Sequence, residues 1–112
     1  ELIRNKGRLK GRQVIPQNAV EDIMAGGSKE AFAKSAYTEL RGWSYGDMWW
    51  NSENGHGAFM ARGVHGQAIY IDPVAEMVVV RLASHPVAAN TANDATSLPA
   101  YQAVAAYLMR KK

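Results

Sequence analysis

The sequence predicts an α+β fold: a three-stranded antiparallel sheet packed with an N-terminal and a C-terminal helix. Three observations carry that prediction. Two β-rich runs, 68–71 and 77–82, flank Asp72-Pro73-Val74-Ala75, a hairpin signal because Pro73 fixes φ in the turn and donates no ladder hydrogen bond. Upstream, Ala19, Val20, Ile23 and Met24 recur at helical spacing behind Pro16. Downstream, Tyr101, Val104, Ala105, Leu108 and Met109 mark an amphipathic closing helix.

Taken in order, residues 1–6 read as the last turn of a helix stopped by Gly7, and 8–15 as an extended connector. Pro16 suits a first helical turn, and Gly26-Gly27 ends the helix begun there, since glycine readily adopts the left-handed cap. Ser28 is placed to cap a brief turn over 29–34, with Ala31 and Phe32 facing inward, and 35–44 is irregular. Residues 45–52 read as the first strand and 53–57 as its turn. A second strand runs from 58 to 71 with an interruption near Gly63, and 77–82 is the third. Residues 84–99 read as a long loop, with Pro99 opening the last helix and Arg110-Lys111-Lys112 complementing its dipole.

At 112 residues the chain is a single domain, 1–112, able to bury about two-thirds of its unfolded surface. Its 47% hydrophobic content argues against disorder. The +3 charge gathers at Arg4, Lys6, Arg8, Lys10 and Arg12, but no aromatic stacking residue lies among them, so a solvated face is preferred to a nucleic-acid partner. Cysteine is absent, which excludes disulfides and thiolate zinc sites and fits the cytoplasm while leaving the periplasm open. His56, His65 and His85 are nine and twenty residues apart, matching no ligand pattern, so neither a metal nor a cofactor is expected. No run of 18 apolar residues predicts a membrane span, and no membrane partner is expected. The opening Glu1-Leu2-Ile3-Arg4-Asn5-Lys6-Gly7 lacks the features of a signal peptide and reads like a helix already under way, as in a piece of something longer.

The most informative stretch is 49–82. Ala61-Arg62-Gly63-Val64-His65-Gly66-Gln67 leads into an alternating strand and the Asp-Pro turn, preceded by Ser44-Tyr45-Gly46-Asp47-Met48-Trp49-Trp50 and by Gly11-Arg12-Gln13-Val14-Ile15-Pro16 before a helix. This pattern resembles the C-terminal segment of the serine β-lactamase and penicillin-binding-protein superfamily, nearest the 6-aminohexanoate-dimer hydrolases and related esterases. The resemblance implies a partial β-lactamase-like fold and amide or ester hydrolysis of a small substrate. It places the superfamily's Lys-Thr-Gly triplet on Ala61-Arg62-Gly63 and makes the Val64 N–H an oxyanion-hole donor. Trp50, Arg62, Gly63 and His65 become substrate-binding residues in a cleft, with Gly63 keeping the strand accessible to substrate. Ala61 departs from the triplet, because it can supply neither the charge of a lysine nor the proton chemistry of a histidine.

Serines 28, 35, 44, 52, 84 and 97 have no lysine three residues on, so the family's Ser-x-x-Lys nucleophile is not in this chain. Acyl transfer by the chain alone is therefore not expected. Ile69, Ile71, Val78 and Val80 point one way and Tyr70 and Val79 the other, so both sheet faces want cover. A homo-oligomer or a missing N-terminal portion would supply it. The alternative reading is a free-standing, non-catalytic domain derived from such an enzyme, self-associating or binding a small ligand.

Overall fold

Left-handed turn residues cut the apolar runs into more strands than their alternation indicates. The computed structural model describes residues 1–111. Its elements are β1 (Arg8–Leu9), β2 (Arg12–Gln13), α1 (Gln17–Ala25), α2 (Lys29–Ala33), β3 (Ser44–Gly46), β4 (Trp49–Asn51), β5 (Phe59–Arg62), β6 (Ala68–Asp72), β7 (Met77–Arg81) and α3 (Thr91–Arg110). The fold is α+β, but the main sheet has five strands rather than three, in the antiparallel meander β3-β4-β5-β6-β7, and β1-β2 form a separate ribbon.

Each extra strand has a local cause. The expected single strand over 45–52 is a hairpin, because Asp47 and Met48 take φ of 51° and 70° between the paired Gly46 and Trp49. Two left-handed central residues match the right-handed strand twist and close the tightest hairpin. Lys10 and Gly11, at φ 48° and 80°, do the same between Leu9 and Arg12, so the expected connector is also a hairpin. The expected second strand is two strands, β5 and β6, that reverse across residues 63–67 and pair from Phe59↔Ile71 to Arg62↔Ala68. The Pro73 turn forms as predicted: the Ala75 N–H donates to Asp72 Oδ1 at 2.9 Å, and Asp72 pairs Met77.

Residues 1–7 form a single hydrogen-bonded turn, with Asn5 N–H to Glu1 C=O at 2.9 Å, closed by Gly7 N–H to Leu2 C=O at 2.7 Å and Lys6 N–H to Ile3 C=O at 3.1 Å. That pair of bonds, with Lys6 at φ 50°, is the closure that ends helices. Both α1 and α2 form as read, and Ser28 Oγ accepts from the Ala31 N–H at 3.1 Å. Only Phe32 of α2 is buried; Ala31 is exposed, contrary to expectation.

The largest correction is α3. It starts at Thr91, inside the expected loop, and Pro99 lies within it. Leu98, Tyr101, Ala105 and Leu108 form one stripe packed on the core, and extending that spacing back one turn lands on Asp94. Register shows what Asp94 meets. Met60, Tyr70 and Val79 stand in one row across the sheet, and Arg62, Ala68 and Arg81 in the next, on the face that α3 covers. Arg62 Nη2 donates to both Asp94 oxygens, at 2.9 and 2.7 Å, and Arg81 Nη1 donates to Ser97 Oγ. Tertiary bonds thus hold two helical turns whose composition reads as loop.

On the opposite face Phe59 is fully buried against Trp49, and α1 is tied down where Asn51 Nδ2 donates to the carbonyls of Ile23 and Met24. Beyond α1, the β6–β7 part of that face is open: Ile69, Val78 and Val80 are exposed. Among the described residues no helix is long and apolar enough to cross a membrane.

This packing sets two expectations. The Arg62 and Asp94 side chains are only 4% and 10% exposed, so Asp94→Ala strands a buried charge. It should cost about 3 kcal/mol in urea unfolding, whereas Arg62→Met with Asp94→Leu should recover most of the loss. The exposed Lys29–Glu53 pair sets the contrast, and Lys29→Ala should change stability by less than about 1 kcal/mol. The second concerns Tyr70, whose hydroxyl is pushed up to about 12, chiefly by burial and next by the Asp72 carboxylate, with the Asn54 hydrogen bond opposing. The folded chain keeps this proton where the unfolded chain, near 10.0, releases it. The resulting stability is complete below pH 10 and lost as pH rises to about 12. Tyrosinate absorbance should show one of the five tyrosines ionising last, and Asp72→Asn should bring it earlier.

Candidate functional site

The β5–β6 reversal leaves a backbone donor without an acceptor at Val64, a residue that lines a cleft. Gly63 is extended, at φ −105° and ψ 168°, and donates its N–H to Gln67 C=O at 3.0 Å. A single 3₁₀ turn, Val64–Gly66, comes next, with His65 left-handed at φ 57°. Among the described residues nothing accepts a hydrogen bond from the Val64 N–H. Val64 lines a cleft of about 200 Å³ together with Tyr37, Trp50, Arg62, Gly63 and residues 88–91.

Arg62 is fixed from two sides, and one of its nitrogens is left over. Asp94 takes its Nη2, its Cζ lies 5.0 Å from the centre of the Trp50 ring, and its Nη1 is buried without a partner. Its charge is therefore matched within the fold, and it stiffens the Trp50 wall. Trp50 also sits among aromatic rings, 4.8 Å from Tyr37, 5.0 Å from Tyr45 and 5.9 Å from Phe32 between ring centres. These four rings, with Ser28, Ala31 and Ser35, line a second and more open concavity of about 640 Å³. Tyr37 and Trp50 belong to both cavities.

Of the residues the sequence singled out, the fold brings together Trp50, Arg62, Gly63 and Val64. His65 stands apart from that lining. Its Nδ1 is 2.8 Å from His85 C=O, its N–H donates to Ala88 C=O, and its own carbonyl accepts from the His85 N–H. It staples the 85–88 segment to the hairpin. Gly63 has a different steric reason from the expected one: a Cβ there would meet Gln67 Cβ at 2.9 Å, across the hairpin. Gln67 cannot readily yield, because its amide is bonded to both backbone groups of Ala83.

Three further residues were not legible as site residues. Tyr37 comes from an irregular segment, Asp94 from the expected loop, and Asn90 donates from Nδ2 to Gly63 C=O at 2.7 Å. The helical stripe extended back to Asp94 was the one available signal. Elsewhere, His56 Nδ1 lies 2.8 Å from the buried Asp72, at the other end of the β5–β6 hairpin. Among the described residues no three His, Cys, Asp or Glu gather as metal ligands. The cleft thus has aromatic walls, with Val64 in its lining.

No protein-family model matches the chain. A 6-aminohexanoate-dimer hydrolase of Paenarthrobacter ureafaciens is 37% identical over 81 residues, covering 71% of this chain and 21% of that protein. A solved Bacillus anthracis structure, provisionally named a 6-aminohexanoate-dimer hydrolase, superposes with a TM-score of 0.73 at 32% identity, covering 97% of this chain and 27% of the other. The chain therefore spans between a fifth and about a quarter of the length of these two proteins. By sequence and by fold, it is a relative of the 6-aminohexanoate-dimer hydrolases.

Proposed function

We propose that this chain is the oxyanion-hole and cleft-wall portion of a β-lactamase-like serine hydrolase that cleaves amide or ester bonds. One observation carries the reading: Val64, whose N–H has no acceptor among the described residues, lines a cleft walled by Tyr37 and Trp50. In the proposed reaction a serine hydroxyl outside this chain attacks the substrate carbonyl and loses its proton to a neighbouring base. The carbonyl oxygen becomes an alkoxide and accepts from the Val64 N–H. As the tetrahedral species collapses, the base returns its proton to the departing nitrogen or oxygen, the amine or alcohol leaves, and water hydrolyses the acyl-enzyme. Trp50 and Tyr37 hold the apolar chain beside the reacting carbonyl, and Gly63 and Arg62 shape the wall. The names of the relatives support a linear amide as substrate.

A preorganised donor aimed at an oxyanion is worth about 10²–10³ in kcat. Proline at 64 tests it directly. Val64 has no positive φ, and Gly63 is already in the extended region that a proline at the next position requires. Val64→Pro thus deletes the N–H without breaking any hydrogen bond of the folded chain. In the complete gene product it should lower kcat by about 10²–10³ with little change in thermal midpoint. Full turnover would remove Val64 from the mechanism.

The second reading, a non-catalytic self-associating domain, is favoured by Ile69, Val78, Val80 and Leu82, exposed on and beside one end of the sheet. Such a patch wants cover, either from residues outside this chain or from a second copy. The 112-residue chain alone should give no covalent adduct with a serine-directed phosphonate and should sediment as a dimer or larger. An adduct on any serine would overturn the assignment of the nucleophile elsewhere. A clean monomer at high concentration would overturn self-association.

A further inference from the structure

We propose that Asn90 is a positioning residue for the Val64 N–H, acting through the Gly63 carbonyl. The inference rests on the reading of Val64 as the oxyanion donor. Gly63 C=O and Val64 N–H belong to one peptide unit. That unit is planar and trans, so its C=O and N–H point in opposite directions, and whatever fixes one fixes the other. Asn90 Nδ2 reaches the Gly63 oxygen at 2.7 Å. A carbonyl oxygen only accepts, so the amide must present its NH₂ there. The same bond polarises the peptide and makes its N–H a better donor.

Asn90 gives up a usual task to do this. It occupies the N-cap of α3, where an asparagine side chain normally accepts from the first helical turn. Here it makes no cap bond, and its backbone carbonyl alone takes the Asn93 and Asp94 N–H groups, at 2.8 and 3.1 Å. Asn90 is itself held. Asp94 and Ser97, on the first two turns of α3, are bonded to Arg62 and Arg81 of the neighbouring strands. The amide thus approaches Gly63 from a helix clamped to the sheet, on the side of the peptide opposite the N–H.

Two measurements on the complete gene product test this. Asn90→Ala removes the donor, and Asn90→Asp keeps the shape but sets a carboxylate against a carbonyl. Both should lower kcat about tenfold or more, with KM within about twofold, because the donor matters most when charge develops. With ¹⁵N-valine labelling, the Val64 amide proton should shift upfield in both variants while the other valine amides hold position. If Asn90→Ala does not fold, the isosteric Asn90→Asp decides. An unmoved Val64 resonance overturns the proposal whatever the rate does, and a shifted resonance with full kcat overturns the catalytic consequence. If the wild-type protein hydrolyses neither amides nor esters, the functional reading fails, and the Val64 resonance alone judges whether Asn90 orients the peptide.

Discussion

The buried pair between Arg62 and Asp94 is the constraint on which the rest of the molecule depends. It joins the last residue of β5 to the first turn of α3, the two places between which the cleft opens. The opening turns of α3 have little of their own to hold them. Ala, Asn, Thr and Ser dominate residues 91–97, no side chain caps the N-terminus, and Pro99 deprives the Ala95 carbonyl of its intrahelical donor. A helix this weak forms because the sheet supplies partners: Arg62 for Asp94, Arg81 for Ser97, and Tyr70 for Tyr101 at 5.1 Å between ring centres. In return the guanidinium is held over Trp50, which fixes the cleft's aromatic wall.

This dependence explains which parts of the fold were legible in the sequence. The Asp72-Pro73 hairpin was readable because its turn residues have intrinsic conformations that neighbours need not impose. The Asp47-Met48 turn was not, because methionine carries no left-handed signal and Trp49-Trp50 continues the apolar run without a break. The start of α3 failed for the opposite reason. Pro99 is a strong local signal for a first turn, and tertiary bonds overrode it from the far side of the chain. Where local chemistry and packing agree, as at Pro16 and Ser28, the element ends fell where expected.

The candidate site divides in the same way. Trp50, Arg62, Gly63 and Val64 lie close together in sequence or on adjacent strands, so strand register alone carries them to one place. Asn90 and Tyr37 arrive from segments with no periodicity, and only the folded chain brings them to the cleft. His65 is placed differently. A histidine beside Gly66 reads as a wall residue, yet the left-handed turn directs it to the 85–88 backbone. Gly63 reads in the sequence as a place where a substrate comes close, but the neighbour its missing Cβ makes room for is Gln67.

The electrostatics of the cleft bear on what it is suited to bind. A lone arginine there would hold a carboxylate tightly before any reaction, stabilising the ground state as much as the transition state. With Asp94 bonded to it, Arg62 contributes little net charge, and in the proposed reaction the polar attraction comes from the Val64 N–H dipole. Such a dipole interacts modestly with a neutral carbonyl and strongly with the alkoxide the carbonyl becomes. The aromatic walls supply binding that is the same in both states. In the proposed reaction the charge-sensitive part of the site is therefore reserved for the transition state, the condition under which binding energy lowers a barrier instead of deepening a well. The ion pair that holds α3 to the sheet thus also balances the fixed positive charge in the cleft wall.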